Sequence, residues 1–216
     1  MKGDMLMYPY TCTPLEQSIE KLYRTIGFHE PYQLDVEAIA DKLGIWVHFA
    51  PYTSRALERA GLQSIVLDSR LSRQEQWQEF GHELCHLLHH AGNQLTMGES
   101  FIRFQETKAS NFAFHFCIPT FMLLHSDLPS LEKEAVATIA STFGVQPEFA
   151  QERLKRHNRQ MASNRLAEKL TAYFYAEEIV KRTTGIDYIV PTGRSKMLFC
   201  RERGVLGYMK ESDESE

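Results

Sequence analysis

Hydrophobic positions along this 216-residue chain fall first into helical periods. Leu15, Ile19, Leu22, Tyr23 and Ile26 repeat at three- and four-residue intervals, the spacing that lines one helix face. Thr13-Pro14-Leu15-Glu16 offers an N-cap hydroxyl, proline in the first turn and a carboxylate placed for a capping box, so this helix starts at Thr13, and Gly27 ends it. Asp35 caps a second helix whose Val36, Ile39, Ala40 and Leu43 face inward, with Gly44 as the left-handed stop. Ile45 to Phe49 and Ser64 to Leu67 then read as strands, separated by a loop that contains Pro51 and Gly61 and is too charged to be core.

Ser72 and Glu75 repeat the capping-box pattern, which predicts a third helix from about Arg73 to His90, with Gly92 just beyond it. A fourth spans about Glu99 to Cys117, where Ala109, Phe112, Ala113 and Phe116 recur at helical spacing until Pro119 interrupts. Leu131 to Phe143, Gly144-Val145 and Pro147 to His157 read as helix, tight turn, helix, and Leu166, Leu170, Tyr173 and Phe174 mark a separate long helix. Glycines and short apolar runs predict strands and turns from Asp187 to Tyr208.

With 43% hydrophobic residues the chain can bury a core as one main unit with a helical extension. The net charge of −4 includes four acids in Glu211 to Glu216, expected to be a solvated tail, and argues against nonspecific DNA binding. Cys12, Cys85, Cys117 and Cys200 follow neither a metal-knuckle nor a disulfide-scaffold spacing. Met1-Lys2-Gly3-Asp4 opens no signal peptide, and no apolar run approaches the roughly 20 residues that span a bilayer. A soluble, cytoplasmic protein is expected.

Candidate chemistry is concentrated in Phe80-Gly81-His82-Glu83-Leu84-Cys85-His86-Leu87-Leu88, which holds the HExxH signature of a zinc peptidase. Positions i and i+4 share a helix face, so His82 and His86 are placed to bind one ion and Glu83 to reach the water it activates. Catalytic zinc needs a third protein ligand and an open fourth position. The metzincin pattern cannot supply it, because His89 and Gly92 stand where glycine and histidine are required. Glu106 is the preferred carboxylate, since Ala109, Ser110 and Ala113 near it let two helices approach closely. Glu99 competes from the start of the same helix, where the helix dipole alone would favour it. His89 and His90 are further alternatives. Cys85 points about 100° away from His86 around the helix, and it and Cys117 read as small buried hydrophobes.

Glu106-Thr107-Lys108-Ala109-Ser110-Asn111-Phe112-Ala113, followed by Phe116-Cys117-Ile118-Pro119, resembles the second motif of the ImmA/IrrE metallopeptidases, E-x-x-A-N-x-F-A before an apolar run and proline. The resemblance extends from about Thr13 to Arg156. Gln76 to Phe80 and His90 to Gln94 are similar to members carried by phages and integrative elements of Gram-positive bacteria. It implies that His82, His86 and Glu106 bind Zn2+ and that Glu83 is the catalytic base. It also implies an anti-repressor that cuts a helix-turn-helix transcriptional repressor. Two departures stand out: Ser110 replaces the usual asparagine, leaving an outer hydrogen bond to a ligand histidine to Ser110 or, with a register shift, Asn111, and Cys85 replaces a common glycine.

The expected fold is thus α+β and mostly helical: a zincin-like metallopeptidase core with a small sheet packed on the HExxH helix, plus a helical C-terminal extension. The expected division is residues 1–128 for the peptidase domain, 129–158 for a helix-turn-helix-like segment, 159–210 for a helix and strand extension, and 211–216 for the acidic tail. In the helix-turn-helix-like segment Ala137, Ala140, Phe143, Val145, Phe149 and Leu154 suit a core, and Arg153, Lys155, Arg156 and Arg159 are basic. Glu148 and Glu152 oppose DNA contact, so packing under the site or docking a repressor is favoured over direct nucleic-acid binding. Ser64 to Leu67 is the expected edge for peptide docking. The alternative to a protease is a zinc-stabilised module that binds a repressor, or DNA, without cutting.

Overall fold

The structure, a computed structural model, describes residues 10–89, 98–192 and 195–210, with 176–184 and 210 described by backbone alone. The positions of His90, Gly92 and the acidic tail lie outside the described residues. In chain order the elements are α1 (Pro14–Ile26), a 3-10 turn (Pro31–Gln33), α2 (Val36–Leu43), β1 (Trp46–Ala50), β2 (Arg55–Arg59) and β3 (Leu62–Asp68). They continue with α3 (Arg73–His89), α4 (Glu99–Cys117), α5 (Thr120–Leu123), α6 (Glu132–Phe143), α7 (Pro147–Thr184), β4 (Tyr188–Pro191), β5 (Ser195–Cys200) and β6 (Gly204–Lys210). The result is mostly helical α+β with two three-stranded sheets. No helix among the described residues is long and apolar enough to cross a membrane.

Local signals start and stop the first helices as expected. Glu16 accepts from the Thr13 backbone N–H at 2.7 Å while its own N–H donates to Thr13 Oγ1 at 3.3 Å, which closes the capping box. Asp35 caps α2 by accepting from Ala38 N–H at 3.0 Å. Gly27 ends α1 at φ 84°, a left-handed conformation that costs glycine no Cβ clash.

Pro9–Arg159 forms one compact unit. Its core joins Ile19 and Tyr23 of α1, Ile65 and Leu67 of β3, Phe80 and Leu84 of α3 and Phe116 of α4, all at most 1% exposed. The sheet order is β1-β3-β2, with β1 parallel and β2 antiparallel to β3. Two expectations change here. The charged stretch between the predicted strands contains a strand of its own, β2, and β3 is therefore central. Ser64 to Leu67 pairs on both sides and so cannot be the expected docking edge; the edges of this sheet are β1 and β2.

A buried polar network ties α7 to the rest of this unit. Glu16 accepts from Thr120 Oγ1 at 2.6 Å and from Tyr10 O–H at 2.6 Å, and Arg153 Nη2 donates to Thr120 Oγ1 at 2.7 Å. Burial pushes the Glu16 carboxyl up, but hydrogen bonds from Thr120, Tyr10 and Thr13 outweigh it and hold the group below the ordinary carboxylate range. Arg153, one of the four basic residues noted in the helix-turn-helix-like segment, is fully buried and packs toward Ile118 and Glu16. Burial lowers its pKa while Glu16 opposes that effect. Ala137, expected in the core, is exposed; Ala135 and Ile139 face inward instead.

The second unit takes in the described chain from Gln160 onward. The break anticipated after His157 does not occur, because α7 runs unbroken over 38 residues. Neither glycine nor proline lies within it after Pro147 to stop it. Within this unit β4, β5 and β6 form an antiparallel meander. Lys196 of β5 donates to the Tyr173 hydroxyl of α7 at 3.0 Å.

Candidate metal centre

Ser72 and Glu75 cap α3 reciprocally, with Ser72 N–H and O–H reaching Glu75 Oε2 at 2.8 and 2.7 Å. Two turns further on, α3 meets α4 at Gly81. A Cβ built there would lie 2.9 Å from Cys117 Sγ and 3.3 Å from Phe116 Cδ1, so the absent side chain sets the closeness of the two helices. Ala109 and Ala113 are buried at the contact as expected, whereas Ser110 is exposed.

This approach brings together three donor groups. His82 Nε2 lies 3.2 Å from His86 Nε2 and 3.1 Å from Glu106 Oε2, and His86 Nε2 lies 3.5 Å from Glu106 Oε1. His82, His86 and Glu106 each offer one ligand atom, all within 4.8 Å of one another. Four ligands on a tetrahedral zinc at about 2.0–2.1 Å are separated by roughly 3.3–3.4 Å, so this spacing suits such an ion. Glu106, 43% exposed in its side chain, forms the solvent side of the cluster, with His86 at 13% and His82 at 22% deeper.

Glu83 follows His82 on α3 and lies near enough to His82 and Glu106 to feel their charge. It is 9% exposed, and its Oε2 accepts the Ala56 backbone N–H of β2 at 2.7 Å. Burial raises its pKa above the ordinary carboxylate value; neighbouring His82 and the Ala56 N–H pull the other way, and Glu79 and Glu106 add to the rise. A carboxyl so placed can hold or release a proton beside the three donors.

The alternatives fall elsewhere. Among the described residues the single group able to hold an ion contains neither Glu99 nor His89. His89 packs edge-on against Phe112 at 5.4 Å, and burial lowers its pKa. Cys85 is buried, which pushes its thiol up to about 12, and Cys117 is fully buried. Asn111 accepts from Arg156 Nη1 at 3.0 Å and so faces α7 rather than a ligand histidine. The α6–α7 turn also supports the motif helix: Gln146 N–H donates to Gln78 Oε1 at 2.8 Å. The Ala56 amide has no signature in the sequence, because a backbone donor on a strand that reads as a charged loop leaves no mark in the side-chain pattern.

A helical pair that gathers two imidazoles and a carboxylate beside a buried glutamate, flanked by a small sheet, defines an α+β protein with a candidate His-His-Glu metal site. Residues 40–155 match the family model for the IrrE N-terminal-like domain, Peptidase M78, and the chain belongs to that family. Over 156 residues it is 45% identical to the phage-like element PBSX protein XkdA of Bacillus subtilis (strain 168), covering 72% of this chain and 79% of that one. It is 40% identical over 162 residues to protein YqaB of the same strain, covering 75% of this chain and 94% of YqaB. A Mycobacterium tuberculosis transcriptional regulator of solved structure superposes with a TM-score of 0.46 at 17% identity, over 64% of this chain and 46% of that one.

Proposed function

We propose that this chain is a zinc-dependent endopeptidase that cuts a helix-turn-helix repressor of a phage or mobile element, acting in the cytoplasm as an anti-repressor. The observation that carries this reading is the convergence of His82, His86 and Glu106 next to buried Glu83. Membership of a peptidase family supports the reaction class. The relative named for a phage-like element supports the setting.

His82, His86 and Glu106 would hold the ion, and two imidazoles with a carboxylate suit zinc. Bound there, zinc supplies Lewis acidity that brings the pKa of water toward about 7 and polarises a carbonyl. Glu83 takes the proton from the attacking water, whose oxygen adds to the scissile carbon. When the C–N bond breaks, Glu83 returns that proton to the leaving amine. The substrate backbone lies along β2: Ala56 donates away from β3, so by strand alternation Glu58 also presents its N–H and C=O outward.

The test is to incubate the purified chain with the repressor encoded nearest its gene, with zinc and then with chelator. A discrete fragment should form with zinc, vanish with chelator and be absent for Glu83→Gln. Repressor that binds equally well to wild type and Glu83→Gln without ever being cut would favour a zinc-stabilised binding module instead.

A further inference from the structure

The sheet β1-β3-β2 has two unlike faces. Ile65 and Leu67 are fully buried on one, as the core requires. By register the opposite face carries Trp46, Ser64 and Leu57 in one row across the three strands, and Leu62 beside Arg59 toward the hairpin end. Trp46 is 65% exposed, Leu62 65% and Leu57 47%. Single exposed apolar residues are ordinary, but three large ones on one small sheet face, a tryptophan among them, mark an interaction surface.

The charge on this face is one-sided. Arg55 and Arg59 alternate with Leu57 along β2, are exposed, and form no ion pair among the described residues. The acid on the same face, Asp68, is already engaged by Arg70, Nε to Oδ1 at 2.8 Å and Nη2 to Oδ2 at 2.6 Å. Apolar groups beside unmatched arginines call for an occupant that brings both an apolar stripe and carboxylates. Three strands at about 4.8 Å spacing make a face roughly 10 Å wide, the breadth of a single helix.

We propose that this face docks an amphipathic helix of the protein substrate, its apolar stripe on Trp46, Leu57 and Leu62 and its flanking carboxylates on Arg55 and Arg59. The proposal rests on the endopeptidase reading for the identity of the partner. Its link to the site is β2, which turns Leu57 and the arginines outward while its Ala56 N–H meets Glu83. A helical protein seated here has its neighbouring chain delivered beside the reacting groups.

The test uses the full chain carrying Glu83→Gln, so that binding is read without cleavage. Two labelled helical peptides of about five turns are titrated, each with a leucine stripe, one flanked by glutamates and the other by lysines. The glutamate peptide should bind at least about tenfold more tightly. Emission from exposed Trp46 should shift to the blue while buried Trp77 reports an intact core. Arg55→Glu with Arg59→Glu should reverse the preference, and Trp46→Ser should weaken binding by about tenfold or more without changing the melting temperature. Equal affinity for the two peptides, or indifference to both sets of substitutions, overturns the proposal. So does duplex DNA binding that is lost with the same residues, which would make the face a nucleic-acid surface.

Cleavage of unfolded casein by the zinc-loaded wild-type chain separates the two readings. If casein is cut but neither peptide discriminates, the docking face alone fails. If the peptides discriminate but neither casein nor the repressor is cut, the endopeptidase reading alone fails.

Discussion

Glu83 accepts the backbone N–H of Ala56 at 2.7 Å, so a side chain of α3 closes onto the free edge of β2. Proline is tolerated on a strand edge where the N–H points away from its neighbour, and Ala56→Pro removes this donor alone. The variant should fold and take up zinc as before while cleavage falls by about 10- to 100-fold, the usual effect of losing a group that orients a site residue. Glu83→Gln should cut the rate further, by about 10² to 10⁴. Unchanged turnover in Ala56→Pro would show that the amide does not position the carboxylate.

Glu106 is the donor that comes from outside the motif helix. Glu106→Ala should weaken zinc binding by more than the roughly 10- to 100-fold that loss of an outer partner costs. Competition against a chromogenic chelator measures this directly. Zinc held at unaltered affinity would place the third donor elsewhere.

Gly81 stands where a methyl group would meet Cys117 Sγ at 2.9 Å. Gly81→Ala should destabilise the fold by about 1–3 kcal/mol, partly offset by alanine's better helix propensity of about 1 kcal/mol. Adding Cys117→Ala should recover part of the loss, because the sulfur is the nearest obstacle. Denaturant unfolding of the two single variants and the double variant tests the coupling, and purely additive losses would refute it.

His115 and His157 are both depressed to about 4, first by burial and then by Arg153. Each is neutral when folded but binds a proton in the unfolded chain below its ordinary value of about 6.5. The unfolded state therefore holds more protons between pH 6.5 and 4, and stability falls as pH drops through that window. Melting temperatures across it should decline, and less steeply in His157→Phe, which keeps the ring stacked on Tyr10 at 5.0 Å. Parallel curves for the variant and wild type would remove His157 from the explanation.

What was legible in the sequence was local. Thr13 with Glu16, Ser72 with Glu75, and the glycines after α1 and α2 act within a few residues, and each element they bound lies where it was expected. β2 was hidden because an edge strand with one solvated face reads Arg-Ala-Leu-Glu-Arg, indistinguishable from a charged loop until a partner strand is known. The continuity of α7 was hidden by the polar stretch between Leu154 and Leu166, where no apolar period marks a buried face. Arg153 carried a usable signal: it shares the stripe of Ala150, Leu154 and His157 at helical spacing, so its position was inward even though its charge suggested otherwise. For the candidate site, the two motif histidines follow from spacing alone. Glu106 needed the second helix, and its meeting with them depends on Gly81.

Ala60 and Gly61, both at positive φ, join β2 to β3 in two residues, the tight turn whose twist matches the strands. So short a hinge leaves no slack: β2 cannot slip by one position without turning its arginines inward. Leu57 and Ala56 therefore stand a fixed step apart on opposite sides of the strand, like marks on a gauge. A partner gripped by the first would offer the same stretch of its backbone to the second each time, so the bond chosen would be set by its distance from the grip more than by the side chains around it.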